Sequence, residues 1–220
     1  MGTAVNERSA RAFRFLPSGL IATTLKLFDR VSVLFVRLHV HPNTLTYLGF
    51  AAGIGVGLAY LLERPVWALV LILVSGTLDI LDGKVAVNAN RKSLFGAILD
   101  SSFDRYSEFF IYGGIAYHFR TSWVVWVVFT AFLGSTMVSY TRARAEGLGV
   151  DCRVGMMQRA ERLILLFAGT FFGLIFRVYD PALTVVMVAI ALVSNVTAVQ
   201  RVAYVRAWEK RKAAADREIA

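Results

Sequence analysis

The chain has little with which to crosslink or solvate itself. A single cysteine, Cys152, stands among 220 residues, so no internal disulfide forms and no redox compartment follows from it. Charged residues make up only 18% of the chain, against about a quarter in a soluble domain. The hydrophobic share is 57% and the mean hydropathy +0.59. A chain of one-domain length has no core large enough to hide that excess, so lipid is the natural sink. There is no internal repeat and no low-complexity tract. Arg8, Arg11 and Arg14 lead into Pro17 with no small-residue cleavage site after a short apolar run, so no cleavable signal peptide is expected.

Acidic residues are the scarcer charge, 15 against 24 basic, giving a net +9. On a soluble protein such an excess suggests nucleic acid. On a membrane protein it marks the cytoplasmic edges. The second reading fits the hydropathy, and no nucleic-acid partner is expected. Spanning about 30 Å of hydrocarbon takes roughly 20 apolar residues. Six stretches qualify: 44–62, 66–87, 95–119, 122–140, 162–178 and 182–205. With the N-terminus inside, the outer turns hold only Arg64, Arg120 and Arg177, and the other 21 of the 24 basic residues fall toward the cytoplasm. The expectation is an all-α, multi-pass protein of the plasma membrane, with both termini cytoplasmic.

Three regions follow: an N-terminal segment 1–40, a six-helix membrane domain 41–206 and a cytoplasmic tail 207–220. Within the first, 15–40 mixes apolar residues with Lys26, Asp29, Arg30 and Arg37 at helical spacing. That pattern suits an amphipathic helix lying in the membrane interface, or an ordinary helix packed on the bundle.

Four aspartates lie inside predicted spans. Asp79 and Asp82 are three apart, Asp100 and Asp104 four apart, so each pair shares a helix face. Ionisable groups at membrane depth are costly and point to function. A short loop, 88–94, joins the two spans at their cytoplasmic ends, so the acidic faces can meet. Four carboxylates together repel unless cations are present. Hard divalent ions, Mg²⁺ or Mn²⁺, accept such oxygen ligands, and a pair of ions suits displacement at phosphorus. Zinc is disfavoured, with no Cys or His near the cluster in sequence. The alternatives are charges that only hold the bundle together, or a proton or cation path. A transporter, however, needs polar residues through to the outer side, and 67–74 and 109–117 are largely apolar.

The run Asp79-Ile-Leu-Asp82-Gly83-Lys-Val-Ala86, continued by Gly96-Ala-Ile-Leu-Asp100-Ser-Ser-Phe-Asp104, resembles the CDP-alcohol phosphotransferase signature D-x2-D-G-x2-A-R-x8-G-x3-D-x3-D. His41-Pro42-Asn43-Thr44-Leu45-Thr46 is similar to the family's x-P-N/D-x-x-T opening. The resemblance implies a six-helix membrane fold with an interfacial N-terminal helix, usually homodimeric. It implies a CDP-lipid donor and CMP as leaving group. By carry-over Asp79, Asp82, Asp100 and Asp104 are metal ligands, and Asp104 is also the base for the acceptor hydroxyl. His41, Pro42, Asn43, Thr44, Gly83 and Ser93 match donor-contacting positions. The chain departs at Val87, where the family has an arginine that helps hold the donor diphosphate. Lys84 or Arg91 is a candidate replacement.

The second half supplies arginines: Arg142 and Arg144 leaving the fourth span, Arg159 and Arg162 entering the fifth, and Arg201 near the end of the sixth. The positive-inside rule alone accounts for some of them. Arg142, Arg159, Arg162 and Arg201 are expected to form a pocket for a phosphorylated acceptor, since guanidinium binds phosphate in a bidentate fork. The segments around Tyr140–Glu146, Gln158–Arg162 and Gln200-Arg201 resemble elements of bacterial phosphatidylinositol-phosphate synthases, where the matching positions bind inositol phosphate. The reaction so implied is phosphatidyl transfer from CDP-diacylglycerol to inositol 1-phosphate. The alternatives are another acceptor such as glycerol 3-phosphate, an inactive homologue, or an ion transporter.

Overall fold

The computed structural model describes residues 18–219, with side chains from 26 to 217, and is all-helical over that range. The expected basic N-terminal residues Arg8, Arg11 and Arg14 lie outside it. Seven helices follow in order: α1 Ser18–Arg37, α2 Pro42–Leu61, α3 Pro65–Asn88, α4 Leu94–His118, α5 Val124–Gly147, α6 Arg159–Ile175 and α7 Tyr179–Ile219. By length and composition four are able to cross a membrane: α2, α3, α5 and the Tyr179–Arg217 stretch of α7. The chain is accordingly an integral membrane protein. Two of the six stretches read from sequence fall short of that measure. The helix α4 carries Asp100, Asp104, Arg105 and Glu108, and α6 has only 17 residues, with Arg159, Glu161 and Arg162 among them.

Local chemistry sets the helix ends. Pro42 and Pro65 open α2 and α3 at the position where a missing N–H costs nothing. His41 caps α2, its Nδ1 accepting from the Asn43 N–H at 3.2 Å. Ser93 caps α4, its Oγ accepting from the Gly96 N–H at 2.9 Å. Gln158 opens α6, its N–H donating to Glu161 Oε2 at 3.0 Å. Four helices end on a residue in the left-handed region, His39, Glu63, Asn90 and Arg177, with φ between 53° and 57°. There the chain folds back on itself, Arg64 N–H donating to Ala59 O at 2.8 Å and Arg91 N–H to Ala86 O at 2.9 Å. The connections stay short except between α5 and α6, where residues 148–158 intervene.

Two glycines draw α4 onto α2. A Cβ on Gly57 would lie 2.2 Å from the Phe110 carbonyl oxygen, and one on Gly114 would lie 2.0 Å from the Gly57 oxygen. No side chain fits at either point. The core around this contact joins Val56 and Tyr60 of α2, Ile111 and Ile115 of α4, and Leu183, Met187 and Ile190 of α7. Two pairs of buried hydroxyls bond across the core, Tyr60 with Thr170 at 2.7 Å and Tyr112 with Ser135 at 2.8 Å.

The helix α5 runs on past its apolar stretch to Gly147, and α7 continues from the last apolar stretch into the tail as one helix of 41 residues. Its continuation is supported by packing, with Tyr204, Val205 and Trp208 set against buried Val150 and Cys152 of the α5–α6 loop.

Candidate active site

The last turns of α3 bring Asp79 and Asp82 to one end of the bundle, and the first turns of α4 bring Asp100 and Asp104 beside them. Asp79, Asp100 and Asp104 each offer an oxygen within 4.8 Å of the others. Asp82 is turned differently. It is buried, and its Oδ2 accepts from Thr46 Oγ1 at 2.7 Å. A narrow space of about 10 Å³ is lined by all four aspartates together with Thr46 and Arg159.

Arg159 offsets part of the charge of the cluster. Its Nη1 donates to Asp79 Oδ1 at 2.6 Å and also to Asp104. Arg105 Nη2 lies 3.4 Å from Asp104 Oδ2. One turn deeper, Glu108 is 4% exposed and accepts from Arg162, which is 2% exposed, through Nε at 3.1 Å and through Nη2. Arg105 Nε stands 3.6 Å from the other Glu108 oxygen. The result is a ladder of carboxylates and guanidinia running from the cluster into the bundle.

Cavities flank the cluster on two sides. One, of about 230 Å³, is lined by Pro42, Asn43, Asp82, Gly83, Ser93 and Asp100, with Arg91 and Lys92 at its rim. The other, of about 270 Å³, is lined by Asp104 and Arg105, by Arg142 and Glu146 of α5, by Gln158 and Arg159 of α6, and by Arg201 of α7. Arg142 Nε donates to Glu146 Oε1 at 2.8 Å on its rim. Arg201 donates to the carbonyls of Val154, at 2.9 Å, and Val138, which fixes its guanidinium at the wall.

Residues 39–197 match the family described as CDP-alcohol phosphatidyltransferase. The chain belongs to that family. An archaetidylinositol phosphate synthase of Methanothermobacter thermautotrophicus is 33% identical over 80% of this chain and 87% of its own length. A phosphatidylinositol phosphate synthase of Mycobacteroides abscessus is 30% identical over 86% and 89%. The phosphatidylinositol phosphate synthase of Mycobacterium tuberculosis, solved with CDP-DAG bound, superposes with a TM-score of 0.74 at 28% identity, covering 82% of this chain and 94% of that one. The same enzyme solved with manganese and citrate gives 0.73 at 27% identity, over 81% and 88%. The protein is thus an enzyme of a phospholipid-synthesising family of transferases.

Most sequence-predicted residues of this phosphatidyltransferase come together. Pro42, Asn43, Gly83 and Ser93 line one cavity, and Arg142, Arg159 and Arg201 line the other. His41 and Thr44 lie at the start of α2 without lining the first cavity; His41 serves as the helix cap. Arg162 is not on the second cavity's wall, because Glu108 holds it inside the bundle. Val87 is 36% exposed, and the first cavity is lined by Ala86 instead. Lys84 is engaged by Asp29 of α1, which leaves Arg91, with Lys92 beside it, at the cavity.

Sequence reading passed over Thr46 and Glu108. Thr46 stood within the quoted α2 opening. Glu108 follows Asp104 by four residues on the same helix face, and that spacing was its signal.

Proposed function

We propose that this enzyme transfers a phosphatidyl group from CDP-diacylglycerol to a hydroxyl of inositol 1-phosphate, releasing CMP. The observation that carries the reading is the cavity in which Asp104 faces Arg142, Arg159 and Arg201. A phosphorylated polyol matches it, phosphate to guanidinia and hydroxyl to carboxylate. A neutral alcohol would leave Arg201, which donates only to backbone carbonyls, without an anion. The names of the relatives agree, since the archaetidyl and phosphatidyl enzymes differ in lipid and share inositol phosphate.

The donor nucleotide belongs in the cavity of Pro42, Asn43, Gly83 and Ser93, beside Thr44 and His41, with Arg91 and Lys92 for the diphosphate. CDP-DAG bound to the M. tuberculosis enzyme supports this. Small residues there, Gly83 and Gly96, let the nucleotide approach the backbone.

The acidic cluster fits divalent ions: every donor is a carboxylate oxygen, a hard ligand set. Asp79, Asp82, Asp100 and Asp104 would hold two ions, Mg²⁺ or Mn²⁺, and manganese in the M. tuberculosis structure supports a metal of this class. When bound, such ions offset charge on the phosphate oxygens and orient the diphosphate. Asp104, which faces the acceptor cavity, takes the proton of the attacking hydroxyl. That oxygen forms its bond to the phosphatidyl phosphorus as the bond from phosphorus to the CMP oxygen breaks. Arg159 spans Asp79 and Asp104, which puts a phosphate-binding group directly beside the base.

The same reading takes α2–α7 as six spans forming one domain, 41–206, between an interfacial N-terminal segment and a tail. Leu27 and Leu34 of α1 are exposed, while Phe28, Val31 and Phe35 pack toward Leu45, Leu81 and Val85, as a helix lying on a membrane and a bundle at once would require. Six antiparallel spans put both termini on the side of the site, and the basic excess makes that side the cytoplasm of a plasma-membrane protein. The working form is a homodimer.

The test supplies the purified enzyme with CDP-diacylglycerol, a divalent ion and labelled inositol 1-phosphate or labelled glycerol 3-phosphate. Label enters lipid from inositol phosphate. Incorporation from glycerol phosphate alone would replace the acceptor, and incorporation from neither would indicate an inactive homologue.

A further inference from the structure

On the face of α7 opposite Arg201, a groove of about 710 Å³ runs between α5 and α7. Met137 and Thr141 of α5 form one wall. The other is a stripe of α7 passing from Asn195 through Val202 to Arg206 and Lys210. It is far roomier than either cavity at the aspartates, at about 230 and 270 Å³. Fifteen residues of helix separate Asn195 from Lys210, a run of about 22 Å.

The groove is closed at its deep end, where a Cβ on Gly134 would lie 2.5 Å from Asn195 Nδ2. The polar groups at that end are turned away from it. Asn195 Nδ2 donates to the carbonyls of Thr130 and Ala191, at 3.1 and 2.8 Å, and Thr141 Oγ1 donates to Met137 O at 2.8 Å. Val199 and Val202, 68% and 60% exposed, leave an apolar floor. At the open end, on the active-site side of the bundle, stand two cations. Neither Arg206 nor Lys210 makes an ion pair or hydrogen bond among the described residues, whereas nearby Lys212 stacks on Trp208 at 5.4 Å. The positive-inside rule accounts for cations at this depth, but not for two of them aligned on this apolar stripe.

An apolar channel ending in paired cations is complementary to an amphiphile with an anionic head. A symmetric second copy fits less well, because an isologous contact here would bring the same two cations of each copy together. We propose that the α5–α7 groove binds an anionic phospholipid of the leaflet on the active-site side, its chains along Val199 and Val202 and its phosphate at Arg206 and Lys210. The site is separate from both cavities at the aspartates, so its occupant is a bound lipid and not a substrate.

Native mass spectrometry of the full-length detergent-purified protein, titrated with phosphatidylglycerol or phosphatidylcholine, tests this directly and needs no catalytic activity. Wild type retains phosphatidylglycerol in preference to phosphatidylcholine. The double variant Arg206→Ala/Lys210→Ala binds phosphatidylglycerol about ten-fold more weakly, the scale of one lost charge-assisted contact. Ala203→Trp, which keeps both cations and fills the groove, weakens it as well. Arg206→Lys retains most of the binding. Equal phosphatidylglycerol titrations in wild type and both groove variants would overturn the proposal, as would equal retention of phosphatidylcholine by wild type. Conversion of a dimer to a monomer by either groove variant would overturn it too, marking the face as a protein interface.

Discussion

Arg162 donates to Glu108 inside the bundle, both side chains shielded from solvent, three residues along α6 from Arg159 and four along α4 from Asp104. The pair ties the helix that carries Arg159 to the helix that carries Asp104, the proposed base. Arg162 therefore acts through position and not through contact with a substrate.

Removing one partner of a buried pair leaves the other charge uncompensated, at a cost of about 3 to 5 kcal/mol. Glu108→Gln is expected to lower the unfolding temperature of the detergent-purified protein by on the order of 10 °C. Glu108→Gln/Arg162→Met recovers much of that loss, because no lone charge remains. Thermal unfolding of the single and double variants checks it; equal losses in both would contradict the pairing.

Arg142 and Arg159 line the cavity proposed for the acceptor. Arg142→Ala is expected to raise the KM for inositol 1-phosphate by about 10- to 100-fold, the range of a lost hydrogen bond to a charged group, with little change in the KM for CDP-diacylglycerol. Arg201→Ala has the same kinetic signature and also loosens the α5–α6 loop, since its guanidinium holds the Val138 and Val154 carbonyls. Steady-state kinetics with each substrate varied in turn would separate the two cavities. Equal effects on both KM values would argue against a dedicated acceptor pocket.

Much of this was legible in the sequence, because the signals were periodic or short-range. The aspartate spacings put two acids on each of two helix faces, and the short 88–94 loop required those faces to meet. The cap residues His41 and Ser93 stand beside the turns that they satisfy. What was not legible depended on contacts distant in the chain. Nothing near Arg162 in sequence shows that Glu108, 54 residues away, would claim it. Asp82 looked equivalent to Asp79 until Thr46 was found bonded to it. The packing of α7 past residue 205 rests on Trp208 meeting the α5–α6 loop, a contact invisible to hydropathy, which reads only the change from apolar to charged residues.

The departure at Val87 has a local reading. The side chain is partly exposed, and the cavity proposed for the donor is lined instead by Arg91 and Lys92. Arg91→Ala is expected to raise the KM for CDP-diacylglycerol about ten-fold, while Val87→Ala stays within about two-fold of wild type, as for a surface substitution. The pair of KM values is the check. A larger effect at Val87 than at Arg91 would show that the missing arginine is not replaced from the loop.

The most direct measurement is CMP release from CDP-diacylglycerol, followed with and without inositol 1-phosphate in wild type and in Asp104→Asn, with Mg²⁺ or Mn²⁺ supplied and then removed by chelation. The account predicts release that requires both inositol 1-phosphate and the divalent ion, and that falls by about 10² to 10⁴ in Asp104→Asn, the range of a lost general base. Release that is unchanged in Asp104→Asn, or absent from wild type with inositol 1-phosphate present, would contradict it.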